Sequence, residues 1–298
     1  MNQTIGIVTV LYNSETVLTD YFTSLNNQTY RDFILYVVDN KSPDSSLILA
    51  KTLSETASFR TVIIENEDNY GVAKGNNLGI QSALSDGCDM VLISNNDVTL
   101  ESEAIELLLN GLEFHCANMA VPKIYYSGSD LIWAAGGYFR KMTGLNTHFG
   151  DKMKDVGQFQ VAKKVTYAAT CFMLIRKEVF ERVGMMDENY FVYFDDTDFM
   201  YRALNKNEPL WYIPESIVYH KESTSTGIMS EFSIRYLYRN LVYFALKNYS
   251  LTYALYVLIL DFGYNFFVNI FKWPFSKWKL RLKSYKEGFK LYKQTYCD

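Results

Sequence analysis

The sequence has few cysteines, and none of them are paired at a metal-binding spacing. The four are scattered and include no C-x-x-C pair: Cys88, Cys116, Cys171 and Cys297. This distribution argues against a disulfide framework and against a structural zinc site, so a reducing cytosol is the expected compartment. The first residues also lack a basic segment and a small-residue cleavage site, which predicts that no cleaved signal peptide exports the chain.

Two common nucleotide-binding signatures are missing as well. The chain has no G-x-x-x-x-G-K-[ST] loop, and its Gly-rich segment at residues 71–79 lacks the G-x-G-x-x-G placement of a dinucleotide binder. Gly75 and Gly79 are equally well explained by close packing of a helix on a sheet. Lys74, at the start of the same helix, could instead meet a phosphate with help from the helix dipole. Both interpretations stay open at this point.

Aromatic residues, by contrast, are abundant. Hydrophobic residues make up 49% of the 298 residues and aromatic residues 16%, which is enough for a large core and excludes wholesale disorder. The net charge is −4, but residues 272–298 carry eight Lys or Arg against two carboxylates, a local charge of +6, so the rest must hold −10. A basic tail on an acidic body usually seeks an anionic surface.

The first hundred residues alternate between apolar runs and helical patterns. Strands are predicted at residues 5–12, 33–38, 61–64 and 90–93, with a helix after each of the first three. The last of these runs is apolar on consecutive positions, as in a strand buried on both faces. The alternation predicts an α/β fold with a mostly parallel, Rossmann-like central sheet flanked by helices and joined by right-handed crossovers.

Polar side chains follow the predicted strands where each one ends. Asn13 follows the first strand, Asp39 the second, and Asn95, Asn96 and Asp97 the fourth. In an open α/β sheet these carboxyl ends meet at one edge, where ligands bind. Such residues are also common turn formers, and that alone would explain them. The alternative is that Asp97 binds a hard divalent cation such as Mg²⁺ or Mn²⁺, with a substrate phosphate supplying further oxygens.

The second half of the chain departs from the regular alternation. Strands are predicted at residues 119–126 and 131–139, with a bend near Gly136, and the polar stretch 140–160 is expected to be a mobile loop that could cover an acceptor. Two short strands, at residues 210–213 and 217–219, are predicted on either side of Pro214 and Glu215. His220, which ends the second, is either structural or a metal ligand.

Three carboxylates fall within four residues after an aromatic run. If a helix begins near Asp195, this residue caps it, and Asp196 and Asp198 lie in its first turn, where the helix dipole favours negative charge. Capping explains one or two of the three. The neighbouring aromatic residues would wall a pocket and could raise the pKa of one carboxyl group toward general-base catalysis.

Several of these segments, taken in order, resemble a known family. The segments TVLYN, VVDN, DNYGVAKGNN and SNND, followed by RKEVFERVGMMDENYFVYFDDTDFMYRA and PESIVYH, resemble the inverting family 2 glycosyltransferases of GT-A fold. The similarity covers residues 5 to about 225. It is closest to the rhamnosyl- and galactofuranosyltransferases that build bacterial surface polysaccharides such as cell wall or capsule.

The resemblance implies a role for individual residues. Asp196 would be the catalytic base and would deprotonate an acceptor hydroxyl, with Asp195 and Trp133 contacting the acceptor. Asp97 and His220 would bind a divalent cation, Mn²⁺ or Mg²⁺, although Asn95 replaces the first acid of the family's D-x-D motif. The nucleoside diphosphate sugar, dTDP-rhamnose or a UDP-sugar, would contact the following residues: Thr9, Tyr12, Asn13, Asp39, Asn69, Lys74, Asn77, Asn95 and Asn96.

The C-terminal residues 231–298 are predicted to form aromatic and basic helices. Residues 251–271 are apolar enough to suggest a membrane span, yet Asp261, Asn265 and Asn269 recur at every fourth position and indicate an interfacial or packed helix. The basic helix that follows either packs on the enzyme or binds anionic lipid through residues 272–293. No nucleic-acid-binding module accompanies it, so nucleic acid is not an expected partner.

These patterns predict a division of the chain and a location for it. Residues 1–230 would form the GT-A domain, with a nucleotide-binding half at 1–100 and an acceptor and catalytic half at 101–230. The enzyme would be peripheral, on the cytoplasmic face of a bacterial membrane, and would act on a lipid-linked glycan. A homodimer is one assembly that the sequence allows. A sugar nucleotidyltransferase and a non-catalytic glycan-binding relative are the alternatives.

Overall fold

In the computed structural model, a central sheet lies between two hydrophobic cores. The structure describes residues 3–221, 230–269 and 273–297, but not the side chains of residues 265 and 269. In this part of the chain, eleven strands form one sheet, and eight of them follow the order β10-β7-β6-β12-β4-β1-β2-β3. The fold class predicted from the sequence is confirmed.

The first half of the sheet is parallel, as the alternation of strands and helices requires. β4 pairs with β1, β1 with β2, and β2 with β3, all in parallel. All five residues of β4 are buried, since β1 covers one edge, β12 the other, and core residues both faces. The elements are β1 (Ile5–Leu11), α1 (Glu15–Asn26), β2 (Phe33–Asp39), α2 (Ser46–Thr56), β3 (Arg60–Glu65), α3 (Gly71–Ser85) and β4 (Met90–Ser94).

The second half adds antiparallel strands to the same sheet. Its elements are β5 (Val98–Leu100), α4 (Ala104–Phe114), β6 (Met119–Tyr126), β7 (Leu131–Ala134), β8 (Gly137–Phe139), β9 (Asn146–His148), β10 (Met153–Lys154), β11 (Lys163–Val165), β12 (Phe172–Arg176), α5 (Lys177–Val183), α6 (Asp195–Asn205) and β13 (Leu210–His220). β8 and β9 form a separate two-stranded sheet. β12 runs antiparallel to β4 and joins the two halves.

Several boundaries in this half differ from the prediction. The bend expected at Gly136, where φ is +71°, divides the single strand predicted at residues 131–139 into β7 and β8. The predicted loop at 140–160 contains β9 and β10. The two strands predicted around Pro214 are instead one strand, β13, because a register shift between Ile213 and Ile217 takes the proline out of the ladder.

Three helices complete the chain: α7 (Glu231–Asn248), α8 (Leu251–Asn269) and α9 (Phe275–Tyr296). Arg281 of α9 is fully buried, 2.7 Å from the Asp261 carboxylate of α8 and 4.3 Å from the ring centroid of Tyr238 of α7. This one side chain therefore ties the three helices together. The rest of the polar stripe predicted on α8, Asn265 and Asn269, lies outside the described side chains.

Buried ion pairs hold α7 against α6 and the segment before it. The Lys247 ammonium is 2.6 Å from the Asp187 carboxylate and 2.8 Å from that of Asp198. Asp198 is fully buried and also accepts from Arg202 Nε at 2.8 Å. Asp198, one of the three clustered acids, thus joins α6 to α7 and has a structural function. Burial opposes ionisation of Asp187, but the hydrogen bond and charge of Lys247 outweigh it and lower its pKa.

Replacing Lys247 by Met should lower the free energy of unfolding by about 3–5 kcal/mol, because two buried carboxylates lose their shared cation. Since the pKa of Asp187 is depressed in the folded state, its contribution is present above about pH 4 and is lost as the pH falls. Urea unfolding at pH 7 and at pH 3.5 measures both effects. As a control, Lys177→Met removes an ion pair to Asp89 in which both side chains are 44% exposed. This change should lower the free energy of unfolding by less than about 1 kcal/mol. Equal losses in the two variants would contradict this account.

Candidate active site

A cavity of about 790 Å³ opens at the carboxyl ends of the parallel strands. The residues that line one side of it follow β1, β2 and β4 or begin α3, as the topology predicts. They are Val10, Tyr12, Asn13, Ser14, Asn40, Asn69, Gly71, Val72, Asn76, Ser94, Asn95, Asn96 and Asp97. A space of this size suits a small molecule or cofactor.

The structure brings five of the nine predicted donor-binding residues to this cavity: Tyr12, Asn13, Asn69, Asn95 and Asn96. The Asn96 amide donates to the carbonyl of Val10 at 2.7 Å, and the backbone N–H of Asn95 donates to the carbonyl of Cys171 at 2.8 Å. These bonds fix the loop after β4 against β1 and against the residue that precedes β12. The loop therefore presents its side chains from a rigid support.

The other four do not line the cavity. Thr9 is fully buried, and Asp39 is 2% exposed and accepts from the backbone N–H of Ser42 at 3.2 Å, although its neighbour Asn40 reaches the cavity. The Lys74 ammonium lies 4.0 Å from the ring centroid of Tyr70.

Asn77 of α3 is held by hydrogen bonds to Met186. Its amide donates to the carbonyl of Met186 at 2.9 Å and accepts from the N–H of the same residue at 3.0 Å. Asn77 is 3% exposed, joins α3 to the segment before α6 and is not among the residues that line the cavity.

Asp97, which lines the cavity, is paired with His220. His220 ends β13, which pairs with β5 directly after Asp97, and the N–H of Lys221 donates to the Asp97 carbonyl at 2.8 Å. As a result, Asp97 Oδ1 and His220 Nε2 lie 3.1 Å apart, and both side chains are largely buried. A carboxylate oxygen and an imidazole nitrogen at one point fit a divalent cation such as Mn²⁺. No cluster of three or more His, Cys, Asp or Glu occurs among the described residues, so substrate oxygens and water would complete the coordination.

Asp196, in the first turn of α6, is held by two hydrogen bonds. The Tyr167 hydroxyl donates to Asp196 Oδ2 at 2.7 Å, and the backbone N–H of Thr197 donates to Oδ1 at 2.6 Å. Burial, and then the charge of Asp196, raise the pKa of Tyr167 well above its usual value, so this phenol stays protonated and keeps donating. Asp196 is therefore a positioned carboxylate with a fixed orientation.

Asp195 has a different environment, and one prediction about it is wrong. It is not the helix cap, because Phe194 occupies that position in a left-handed conformation with φ +68°. Asp195 is only 5% exposed. Burial, and then the neighbouring charge of Asp196, raise the pKa of Asp195. Asp195 thus keeps its proton more readily than an ordinary Asp.

An aromatic row links the Asp97–His220 pair to Asp196. The Trp133 ring lies 4.7 Å from the His220 ring and 4.9 Å from the His148 ring, centroid to centroid, and His148 lies 5.4 Å from Tyr167. The two acidic groups also lie near one buried thiol: burial, then the charges of Asp97 and Asp196, raise the pKa of Cys171. Asp97 and Asp196, which are 99 positions apart in the chain, thus both lie close enough to the Cys171 thiol to raise its pKa.

Comparison with known proteins identifies the family. The model of "Glycosyl transferase family 2" matches residues 6–184, more than half of the chain. The chain belongs to glycosyltransferase family 2. The resemblance inferred from the motifs is confirmed, and with it the assignment as a transferase.

Curated relatives of this glycosyltransferase support the same conclusion. A dTDP-rhamnosyl transferase of Shigella flexneri, RfbF, is 27% identical over 228 residues, covering 74% of this chain and 70% of the relative. The hexosyltransferase Agl10 of low-salt glycan biosynthesis in Haloferax volcanii is 26% identical over 209 residues, covering 68% of this chain and 62% of the relative. These matches place the enzyme in the rhamnosyltransferase-like branch.

Solved structures share its fold at low sequence identity. The first 349 residues of S. aureus TarS superpose with a TM-score of 0.63 at 13% identity, covering 97% of this chain and 80% of that one. A GalNAc-T7 structure with UDP, GalNAc and Mn²⁺ superposes with a TM-score of 0.60 at 16% identity, covering 73% of this chain and 44% of that one. Both show that the enzyme has the GT-A-like architecture.

Several residues near the site of this glycosyltransferase were not predicted from the sequence. His148, within the predicted loop at 140–160, and Tyr167 both lie beside Asp196. Phe191, Phe232 and Tyr236 also line the cavity. One signal was available for His148, since the chain has only three histidines. Nothing in the local sequence connects residues 232 and 236 with the strand ends.

Proposed function

We propose that this glycosyltransferase moves a sugar from a nucleoside diphosphate sugar to a hydroxyl of a lipid-linked glycan, with inversion and with a divalent cation. The observation that carries the proposal is the pairing of Asp97, which lines the cavity, with His220, and with Asp196 across the aromatic row. The donor is a dTDP- or UDP-sugar. This choice is supported by the name of the Shigella relative and by TarS structures in complex with UDP and with UDP-GlcNAc.

The residues of this chain divide the reaction between two places. The sugar-phosphate bond breaks beside Asp97 and His220, which would hold Mn²⁺ or Mg²⁺; when bound, the cation neutralises charge on the leaving nucleoside diphosphate. Asp196 accepts the proton of the attacking acceptor hydroxyl, and Tyr167 and Thr197 hold its carboxylate in place. Attack on the face of the sugar opposite the leaving group inverts the anomeric carbon. Trp133, midway in the row, is placed to pack against the acceptor ring.

The C-terminal helices support a membrane location. Of the described helices, α8 is long and apolar enough to cross a membrane by length and composition alone, and most of its surface lies open, with Ile259 70% and Phe267 79% exposed. α9 exposes lysines at 279, 283, 286, 290 and 293; Lys272, the first residue of the predicted basic segment, lies outside the described residues. An apolar face beside a basic one suits the surface of an anionic bilayer. The enzyme would then work peripherally, at the cytoplasmic face, in bacterial surface polysaccharide synthesis.

Radiolabelled donors test this proposal. The purified full chain is incubated with dTDP-[¹⁴C]rhamnose or UDP-[¹⁴C]GlcNAc, Mn²⁺ and bacterial membranes, and label is measured in the butanol-extractable lipid fraction. We expect label to enter the lipid fraction from one donor, and EDTA to stop it. Slow release of free sugar when membranes are omitted would support the donor assignment. If neither transfer nor hydrolysis occurs with a panel of dTDP-, UDP- and GDP-sugars, the proposed function is wrong.

A further inference from the structure

The donor cavity has a second wall that comes from outside the region matched by the family. Besides the polar strand ends, the cavity is lined by Phe191 and Val192 and by three residues at the start of α7: Ser230, Phe232 and Tyr236. All five lie beyond residue 184, where the family match ends. The start of α7, the first of the C-terminal helices, therefore forms part of the cavity.

Three aromatic rings make this wall continuous. The rings of Phe191 and Tyr236 are stacked with 5.2 Å between centroids, and those of Phe232 and Tyr236 lie 4.8 Å apart. The Arg239 guanidinium lies 4.8 Å from the centroid of the Tyr236 ring, where it supports the wall from within α7. The wall is thus a packed aromatic surface in the same cavity that Asn95, Asn96 and Asp97 line.

Hydrogen bonds hold the wall in a fixed position. The fully buried Asn240 amide donates to the carbonyls of Val192 and Tyr193 at 2.8 and 2.9 Å, and Arg239 donates to the carbonyl of Asn189 at 2.8 Å. On the other side, the carbonyl of Phe191 accepts from the N–H of Val72 at 2.7 Å.

The contact between Phe191 and α3 depends on a glycine. Gly71 has φ +80°, and a Cβ there would come within 2.3 Å of the Phe191 carbonyl oxygen. The wall is therefore attached to both α3 and α7, and the sequence at residue 71 permits the close approach.

We propose that Phe191, Phe232 and Tyr236 form a stacking wall for the apolar ring face of the donor, an inference that rests on the proposed function. One cavity holds both chemistries a nucleotide sugar needs: Asp97, which with His220 would hold a cation for the diphosphate, and an aromatic face for a ring. Aromatic walls pack well against flat bases and against the C–H face of sugars. The base and the sugar ring share this chemistry, and the two are separated by the choice of ligand below.

Nucleotide binding by the full chain tests the wall. The affinities of UDP, dTDP, GDP and UDP-GlcNAc are measured by calorimetry with Mn²⁺ present, for wild type and for Phe232→Ala, Tyr236→Ala and Tyr236→Phe. We expect each Ala variant to weaken binding about 5- to 20-fold, and Tyr236→Phe, which keeps the ring, to stay within about 2-fold of wild type. Phe289→Ala is the matched control, because Phe289 of α9 is 41% exposed and Phe232 is 42% exposed, but Phe289 does not line the cavity.

The outcomes separate the wall from the function. Weaker binding of the free nucleotides in the Ala variants places the base on the wall, and weaker binding of UDP-GlcNAc alone places the sugar there. If wild type binds a nucleotide and both Ala variants, with unchanged thermal melting, bind it equally well, the wall inference is wrong and the function stands. If wild type binds none of the four ligands, the proposed donor site falls, and the wall with it.

Discussion

An Asp196→Asn enzyme is expected to bind its donor with nearly wild-type affinity and to transfer sugar about 10²–10⁴-fold more slowly, the range that a general base contributes. Asn has the shape of Asp, and its Oδ1 can still accept one of the hydrogen bonds that Tyr167 and Thr197 now donate. The amide of Asn, however, cannot accept the proton of the acceptor hydroxyl. Single-turnover transfer, measured beside donor binding by calorimetry, separates the two effects.

The neighbouring acid provides the matched comparison. Because burial and the charge of Asp196 raise the pKa of Asp195, its carboxyl group favours the neutral form more than an ordinary Asp does. Asp195→Asn should therefore lower the rate of sugar transfer by less than about tenfold, which is far less than the loss expected when a general base is removed. Equal losses in the two variants would show that the pair acts as a unit. Unchanged turnover in Asp196→Asn would remove Asp196 as the base.

The difference between these two neighbours could not be read from the sequence. Three acids in four residues predicted a helix start and a catalytic role, and both a helix and a positioned carboxylate are found there. Which acid is buried, however, depends on Tyr193 and Phe194, which both have positive φ, of 63° and 68°. Non-glycine residues adopt this conformation rarely, and here the Asn240 amide holds the carbonyl of Tyr193 from 47 residues away. The local sequence pattern therefore does not indicate which of the acids is buried.

The parallel half of the fold was predictable because its signals are local. Each strand is an apolar run that ends in polar residues, and topology alone then brings Asn13, Asn95 and Asp97 to one edge. Side-chain direction was not predictable in the same way. Asn77 lies on the helix that borders the cavity, yet its amide faces Met186. A helix position fixes the direction of a side chain only when its packing partner is known.

Long-range packing also explains what was missed in the second half. β13 runs through Pro214 because a bulge absorbs the proline, whereas the local rule predicts a break. The aromatic wall needs α7, whose Phe232 and Tyr236 line the same cavity as the end of β4 about 140 residues earlier, and the local sequence of residues 231–248 does not indicate this contact. Such contacts follow from the whole fold.

An Asp97→Ala enzyme is expected to lose about 10²–10³-fold in transfer and to need more Mn²⁺ for half-maximal rate, since neutralising charge on a leaving group is worth several kcal/mol. His220→Ala should show the same two changes with a smaller loss of rate, because a neutral imidazole contributes less charge than a carboxylate. Transfer is measured across a Mn²⁺ titration after treatment with EDTA. Asp130→Asn, at a surface acid paired with Lys154, is the control and should leave both quantities unchanged.

The double variant tests whether the two residues share one ion. Their side-chain atoms are 3.1 Å apart, close enough to bind a single cation, and residues that act as a unit give strongly non-additive losses. In the Asp97→Ala enzyme, the further change His220→Ala should therefore lower the transfer rate by less than about threefold, because the metal site that the two residues share is already lost. Fully multiplicative losses would mean that the two side chains act independently. A hydrogen bond between Asp97 and His220 that only shapes the loop would instead predict lower thermal stability with no change in the Mn²⁺ requirement, and that result would contradict the shared metal site.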